Sequence, residues 1–344
     1  MPELWYALLA LMFIAYAVLD GFDFGAGILH RFVAKSEDER RAVFGAIGPF
    51  WDGNEVWLIG AGGVMFVAFP GLLTTAFPAF YLSLFVVLWC LTLRGVAIEL
   101  RSHVDNAEWR AFWDTAFALA SALLALLFGV ALGNIVRGLP LESEEATTLP
   151  LFTNFRTTGH VGLLDWYTAL VGLFSFSLLA FHGALFLQYR TDGELKARAA
   201  RIERRLWLPL VALFAVVSVA TAFVRSGFFE ALAWRPFAWC GAALAVLGIV
   251  LVARAAGAGR RFIGSSCIMV GLLTALAAAL FPTLLRSTLD PAHSLELQQA
   301  LSGDYSRRVA LFWWPVAFVL AVTYLVLAFR AHRAPVTRGP IDGI

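Results

Sequence analysis

The chain alternates between apolar runs of about 20 residues and short clusters of charged residues. An α-helix of that length crosses the roughly 30 Å hydrocarbon core of a bilayer. Apolar residues make up 60% of the 344 residues and charged residues only 15%, whereas a soluble domain has roughly 25% charged residues. The pattern therefore predicts an all-α integral membrane protein.

The apolar runs predict about nine transmembrane helices. A β-barrel is not expected, because the short alternating segments that it requires are missing from the sequence. The first run has no basic residue before it and is too long for a cleaved signal peptide, so we expect it to remain as a span. We predict a single polytopic membrane domain over 1–334 and a short cytoplasmic tail over 335–344. The predicted spans lie near 4–32, 50–70, 76–99, 111–136, 161–189, 205–225, 235–254, 261–284 and 309–331.

Arginine and lysine predict the orientation of these helices. With the N-terminus outside, 19 of the 26 Arg and Lys residues fall in segments on the cytoplasmic side and the other seven on the outer side. Basic residues concentrate in cytoplasmic loops, so the N-terminus is predicted outside and the C-terminus in the cytoplasm. Topology thus accounts for the basic residues, and no nucleic-acid partner is expected.

The ionisable residues inside the first four predicted spans lie on the cytoplasmic side, with Glu99 and Asp114 at the inner ends of the third and fourth. Asp20 and Asp23 are three residues apart and share one face of the first span, as do Asp52 and Glu55 in the second. Arg94 lies in the third. Each charge costs about 2.5–3.5 kcal/mol within a bilayer, so each needs a reason. Two readings remain open: buried ion pairs centred on Arg94, or a path that carries protons from the cytoplasm through the excess carboxylates.

Two of the six histidines, His30 and His182, fall within spans, where axial haem ligands would have to lie. We expect each to be a hydrogen-bonded histidine rather than a haem ligand. The three cysteines lie in apolar runs without CxxC spacing, so neither a disulfide nor a metal site is expected.

Three sequence strings resemble one family, the subunit II proteins of the cytochrome bd quinol oxidases, including cyanide-insensitive variants. The strings are LDGFDFGAG over 19–27, GPFWDGNEVWL over 48–58 and LQYRTDGEL over 187–195. The second string is highly specific, and the resemblance extends over the whole chain in length and number of spans.

The resemblance implies a complex in the bacterial cytoplasmic (inner) membrane that oxidises quinol and reduces oxygen to water. Such a complex generates a proton gradient without pumping. Its two haems b and one haem d would be ligated by the partner, subunit I, and small single-span accessory subunits accompany some members. The implied fold is two four-helix bundles plus one extra helix. Some members also hold a structural quinone in subunit II.

The same resemblance implies roles for individual residues. Asp23, Asp52 and Arg94 fall on positions tied to haem-environment stability and proton delivery, and Asp52 is the strongest candidate for the proton path. Trp57 falls on a position linked to oxygen entry. Glu55 falls on a position that carries Gln in other members, so its charge is not a family requirement.

Two other classes of function remain open from the residues alone. A proton-coupled membrane transporter would also carry acids inside its spans, although it usually shows inverted repeats with a matching site in each half. A purely structural membrane scaffold would hold the same charges as satisfied ion pairs.

Overall fold

A computed structural model describes residues 1–142 and 148–336 of the chain. The predicted tail therefore lies mostly outside the described residues. The described residues form thirteen α-helices: α1 Pro2–Val33, α2 Glu37–Ile47, α3 Trp51–Ala68, α4 Pro70–Ala79, α5 Tyr81–Leu100, α6 Ala107–Arg137, α7 Trp166–Arg190, α8 Gly193–Val224, α9 Phe228–Ala233, α10 Pro236–Arg254, α11 Ala258–Leu280, α12 Leu297–Ala300 and α13 Asp304–Ala331. Between α11 and α12, β1 (Thr283–Leu285) pairs antiparallel with β2 (Leu295–Glu296), and a 3-10 turn covers Pro291–His293.

Eight of these helices are long and apolar enough to cross a membrane: α1, α5, α6, α7, α8, α10, α11 and α13. The remaining predicted span corresponds to α3, whose first turns carry Asp52, Asn54 and Glu55. Its 18 residues give roughly 27 Å of helix rise, close to the thickness of the hydrocarbon core. The all-α membrane fold is thus confirmed, while the ninth span and the orientation stay predictions.

Two helix boundaries differ from the sequence prediction for identifiable reasons. Helix α8 begins at Gly193 rather than near 205, because its basic first turns continue the helix beyond the apolar segment. Helix α11 ends at Leu280 rather than near 284, because Thr283–Leu285 turns into a strand.

The short helix α2 connects the first two long helices, and its start follows a local sequence signal. The Ser36 hydroxyl accepts a hydrogen bond from the Glu39 amide at 3.3 Å, and the Glu39 carboxylate accepts one from the Ser36 amide at 3.2 Å. This reciprocal capping box satisfies two amides that a helix N-terminus otherwise leaves unpaired. The string SEDE over 36–39 has the residues that such a capping box requires.

The long helices pack as two groups of four with α1 near the centre. In the first group, α1 contacts α3 and α6, and α5 packs on α6; in the second group, α7 packs on α8 and α11, and α10 on α11. Helix α7 joins the groups by packing against both α1 and α6, and α13 lies against α3. This arrangement agrees with the expected two four-helix bundles plus one extra helix.

Glycines set the closest approach between the two groups. A Cβ atom added to Gly25 on α1 would lie 2.1 Å from the carbonyl oxygen of Leu179 on α7. A Cβ atom on Gly183 of α7 would lie 2.2 Å from the carbonyl carbon of Gly25. Any larger residue at either position would push the two backbones apart, as expected for helices that associate through small residues.

Candidate functional site

A buried charged cluster joins the first three long helices of the chain. Arg94 on α5 is fully buried, and its guanidinium donates hydrogen bonds to Asp20 on α1 and to Glu55 on α3. The guanidinium carbon also lies 4.7 Å from the ring centroid of Phe24, within cation–π range. One cation thus neutralises carboxylates from two other helices. We call Asp20, Asp23, Asn54, Glu55 and Arg94 the acid cluster.

Asp23 is the third carboxylate of the acid cluster and is also fully buried. Its Oδ2 atom accepts a hydrogen bond from the Asn54 amide at 2.8 Å, and Asn54 donates a second one to the Leu19 carbonyl at 3.1 Å. Arg94 makes its ion pairs with the other two carboxylates, so three acids share one cation. The cluster therefore keeps the acidic excess that the sequence indicates.

Several buried polar atoms around the acid cluster have no hydrogen-bond partner among the described residues. An unmade hydrogen bond in a buried site costs about 1–3 kcal/mol, so a group of such atoms calls for an explanation. Together they provide donors and acceptors beyond those used by the ion pairs. The atoms are Tyr16 Oη, Asp20 Oδ2, Asp23 Oδ1, Asn54 Oδ1 and Arg94 Nε.

Asp52 and Glu55 connect the acid cluster to the surface of the chain. Asp52 is exposed in the first turn of α3, and the Glu55 side chain is 26% exposed. Asp52 makes no ion pair within the described part of the chain, so the structure does not place it in a buried pair with Arg94. Its position at the start of α3 turns its side chain outward, whereas Glu55, one turn later, reaches Arg94. The carboxylates therefore form a series from exposed to fully buried.

Trp57, on α3, packs against α13. Its ring packs edge-on against Phe318, with 5.9 Å between the ring centroids, and the side chain is buried. The structure therefore does not bring Trp57 into the acid cluster. Its link to oxygen entry stays a prediction from the resemblance.

A second charged network lies at the end of the molecule that contains the C-termini of α1 and α5 and the N-terminus of α6. Buried Asp114 accepts hydrogen bonds from Arg101 Nε at 2.6 Å and is 2.8 Å from His30 Nε2. Arg101 also donates to both carboxylate oxygens of Glu37 on α2, at 3.1 and 3.0 Å. Partial burial would raise the pKa of the Glu37 carboxyl, but its hydrogen bonds with Arg101 and Arg41 hold it below its usual value.

Sequence reasoning noticed Asp114 but did not find this network. Arg101 and Asp114 face each other across the α5–α6 turn, and Glu37 reaches them from α2. The signal available was the proximity of Arg101 and Asp114 in sequence, in a segment that reverses the chain between two spans.

The two buried histidines are engaged in hydrogen bonds within the chain. His182 Nδ1 is 2.7 Å from Ser265 Oγ, and Nε2 is 3.0 Å from the Val18 carbonyl oxygen. His30 Nε2 is bound to Asp114. A haem iron needs a free imidazole nitrogen that faces the macrocycle, and both nitrogens of His182 are engaged, so His182 does not fit a haem. No group of three His, Cys, Asp or Glu residues that could hold a metal ion occurs in the described ranges.

Comparisons with known proteins agree with this geometry. Residues 1–332 match the family described as cytochrome bd terminal oxidase subunit II. Cytochrome bd-I ubiquinol oxidase subunit 2 from Escherichia coli K12 is 32% identical, over 98% of this chain and 96% of that protein. Cytochrome bd ubiquinol oxidase subunit 2 from Bacillus subtilis is 33% identical, over 97% of this chain and 98% of that protein.

A solved structure shares the fold. A chain of the bd oxidase from Geobacillus thermodenitrificans superposes with a TM-score of 0.74 at 18% identity, covering 96% of this chain and 98% of that one. Together with the family match over residues 1–332, the identity to these relatives establishes the family of the chain. The chain belongs to the cytochrome bd terminal oxidase subunit II family, whose members are multi-pass subunits of an oxidoreductase complex in the bacterial inner membrane.

Proposed function

We propose that this chain is subunit II of a complex that oxidises quinol and reduces oxygen to water, and that its acid cluster carries protons toward the site of oxygen reduction. The relatives from Escherichia coli and Bacillus subtilis are named as ubiquinol oxidase subunits, which supports quinol as the electron donor. The two haems b and the haem d lie on the partner, subunit I. Both ring nitrogens of buried His182 are engaged within the chain, which supports haem ligation by the partner.

The observation that carries the proton-path proposal is the acid cluster itself. Three carboxylates share one arginine inside the membrane-spanning part of the chain, and buried polar atoms beside them lack partners. A purely structural ion pair would be stabilised by complete pairing, because each unpaired buried polar atom costs free energy. Carboxylates with spare hydrogen-bonding capacity are the usual components of a proton relay in membranes.

Asp52 and the members of the acid cluster divide into entry, holding and transfer roles. Asp52, exposed at the start of α3, takes protons from the cytoplasm, and Glu55 passes them inward. Arg94 stays charged and fixes Asp20 and Glu55 in place. Arg94 binds Asp20 and Glu55, whereas Asp23 is bound by the neutral side chain of Asn54. Asp23 is therefore the carboxyl best able to alternate between its two protonation states. The proton gradient arises because protons for water come from the cytoplasm while quinol protons leave outside.

The alternative of a proton-coupled transporter is less well supported. Such a transporter would place equivalent ionisable sites in two related halves. Here the acid cluster belongs to the first helix group, whereas the second group has an ion pair between Glu203, in the N-terminal third of α8, and Arg261, in the first turn of α11. This asymmetry between the two groups, together with membership of an oxidase subunit family, favours an oxidase subunit over a transporter. A structural quinone and small accessory subunits stay predictions from the resemblance.

Substitution of Asp52 tests the entry role in the complete complex. Asp52→Asn keeps the shape but cannot exchange a proton, so we expect turnover per haem d to fall by at least about tenfold, with normal assembly and haem content. Asp52→Glu should retain part of the activity because the acid survives on a longer stem. Asp192→Asn, which removes an exposed acid in the α7–α8 turn, is the matched control and should behave as wild type. Normal turnover of the Asp52→Asn complex would reject this entry role.

A further inference from the structure

One face of α1 carries polar or small residues well beyond the acid cluster. Asp23, Gly27 and His30 are three or four residues apart, so they share one face of the helix. Helix α6 meets this face: the Ser121 hydroxyl would lie 2.1 Å from a Cβ atom on Gly27, and Asp114 is hydrogen-bonded to His30. We call these five residues the α1–α6 seam.

His30, at one end of the α1–α6 seam, is held in one tautomer of its neutral ring. Asp114 accepts hydrogen bonds from Arg101 at 2.6 and 3.2 Å and lies 3.4 Å from Arg40, so it is an ionised acceptor. The His30 Nε2 atom, 2.8 Å from Asp114, therefore bears the proton of the neutral ring. This leaves Nδ1 as a basic nitrogen, and it has no partner among the described residues. The rings of Phe44 and Phe117 cover the imidazole.

Ser121 lies between His30 and the acid cluster. Its side chain is buried against Gly27, which is one helical turn from both Asp23 and His30. The Ser121 hydroxyl oxygen has no hydrogen-bond partner in the ranges that the structure describes, and the same holds for Asp23 Oδ1. Three buried, unpartnered polar atoms thus follow one another along the seam, on His30, Ser121 and Asp23. A serine hydroxyl can both accept and donate a proton in such a row.

We propose that His30 is a proton-transfer residue that supplies Asp23 through Ser121, as a second entry beside Asp52 and Glu55. Water beside Arg40, whose side chain is 34% exposed, brings protons to this end of the seam. His30 Nδ1 takes up a proton, and the resulting imidazolium is stabilised by the Asp114 carboxylate. Nδ1 then releases the proton through Ser121 to the Asp23 carboxylate, and the ring returns to its neutral form. The inference rests on the proposed role of Asp23 as a proton carrier.

The test uses the complete oxidase complex with His30→Gln. Glutamine can still donate a hydrogen bond to Asp114, but it has no basic nitrogen. We expect turnover per haem d to fall at least about threefold, with an increased deuterium solvent isotope effect and an unchanged KM for quinol. His182→Gln is the matched control: it removes a second fully buried histidine, outside the seam, and should leave turnover and isotope effect at wild-type values.

The possible outcomes separate this inference from the proposed function. Normal turnover and isotope effect in His30→Gln, with slow turnover in Asp23→Asn, would overturn the second entry and leave the acid cluster as the path. Normal turnover in Asp23→Asn would overturn both the second entry and the proposed proton path through the acid cluster. If His30→Gln does not assemble, Ser121→Ala decides, because it removes only the hydroxyl. We expect about twofold slower turnover with an increased isotope effect, and wild-type values would overturn the route.

Discussion

The helices of the two groups are held together by different kinds of contact. In the first group, Arg94 binds carboxylates on two neighbouring helices. In the second group, α10 and α11 approach through glycines: a Cβ atom on Gly248 would lie 2.4 Å from the Gly264 carbonyl oxygen. Helices α10 and α11 thus pack closely through small residues, and the ion pair between Glu203 and Arg261 joins α8 to α11. We propose that the charges of the first group serve proton transfer as well as packing.

The largest effect on assembly is expected from Arg94→Gln. Removal of the cation leaves Asp20 and Glu55 without their partner, and breaking a buried pair in this way costs about 3–5 kcal/mol. We expect a severe loss of assembled, haem-containing complex on purification. Arg261→Gln, in the second group, should reduce the yield less, because Arg261 is 24% exposed and pairs with one carboxylate, whereas Arg94 is fully buried and pairs with two.

A neutral version of the cluster separates packing from proton transfer. The triple variant Asp20→Asn, Glu55→Gln, Arg94→Gln replaces the cation and its two paired carboxylates with neutral hydrogen-bonding groups and leaves Asp23 unchanged. Its assembly should recover relative to Arg94→Gln, while its turnover per haem d stays low. Recovery of both yield and turnover would show that the charges serve only to hold the helices together.

A smaller effect, confined to stability, is expected from Gly248→Ala. The added methyl group meets the backbone of α11, and overpacking of this kind costs about 1–3 kcal/mol. The thermal midpoint of the purified complex should fall, with unchanged turnover per haem d in the molecules that assemble. Gly63→Ala is the control, because a Cβ atom there has nothing within 4 Å. Slower turnover in assembled Gly248→Ala would contradict the division of roles between the groups.

Much of the fold could be predicted because apolar runs and basic residues report directly on the membrane. The shared face of Asp20 and Asp23 also followed from helical spacing alone. Glycines occur within both α1 and α3, yet a Cβ atom on Gly25 would meet another helix at 2.1 Å, whereas one on Gly62 or Gly63 has nothing within 4 Å. Spacing along one helix does not reveal which face a neighbouring helix covers.

The candidate site was harder to predict where it depends on side chains from distant helices. Arg94 was recognised as the cation, but its choice of Glu55 over Asp52 depends on how α3 is rotated against α5. The His30–Asp114–Arg101 network needs α1, α5 and α6 to meet at one end. Such rotations are set by packing, which a single sequence does not specify.

The most direct test of the proton-path account is turnover per haem d in the purified Asp23→Asn complex, measured at saturating quinol. Asp23 is fully buried and is bound by Asn54, so an asparagine of nearly the same shape should preserve assembly and haem content. The account predicts that oxygen consumption per haem d falls at least about tenfold, because the amide cannot carry a proton. Wild-type turnover in a fully assembled Asp23→Asn complex would contradict it.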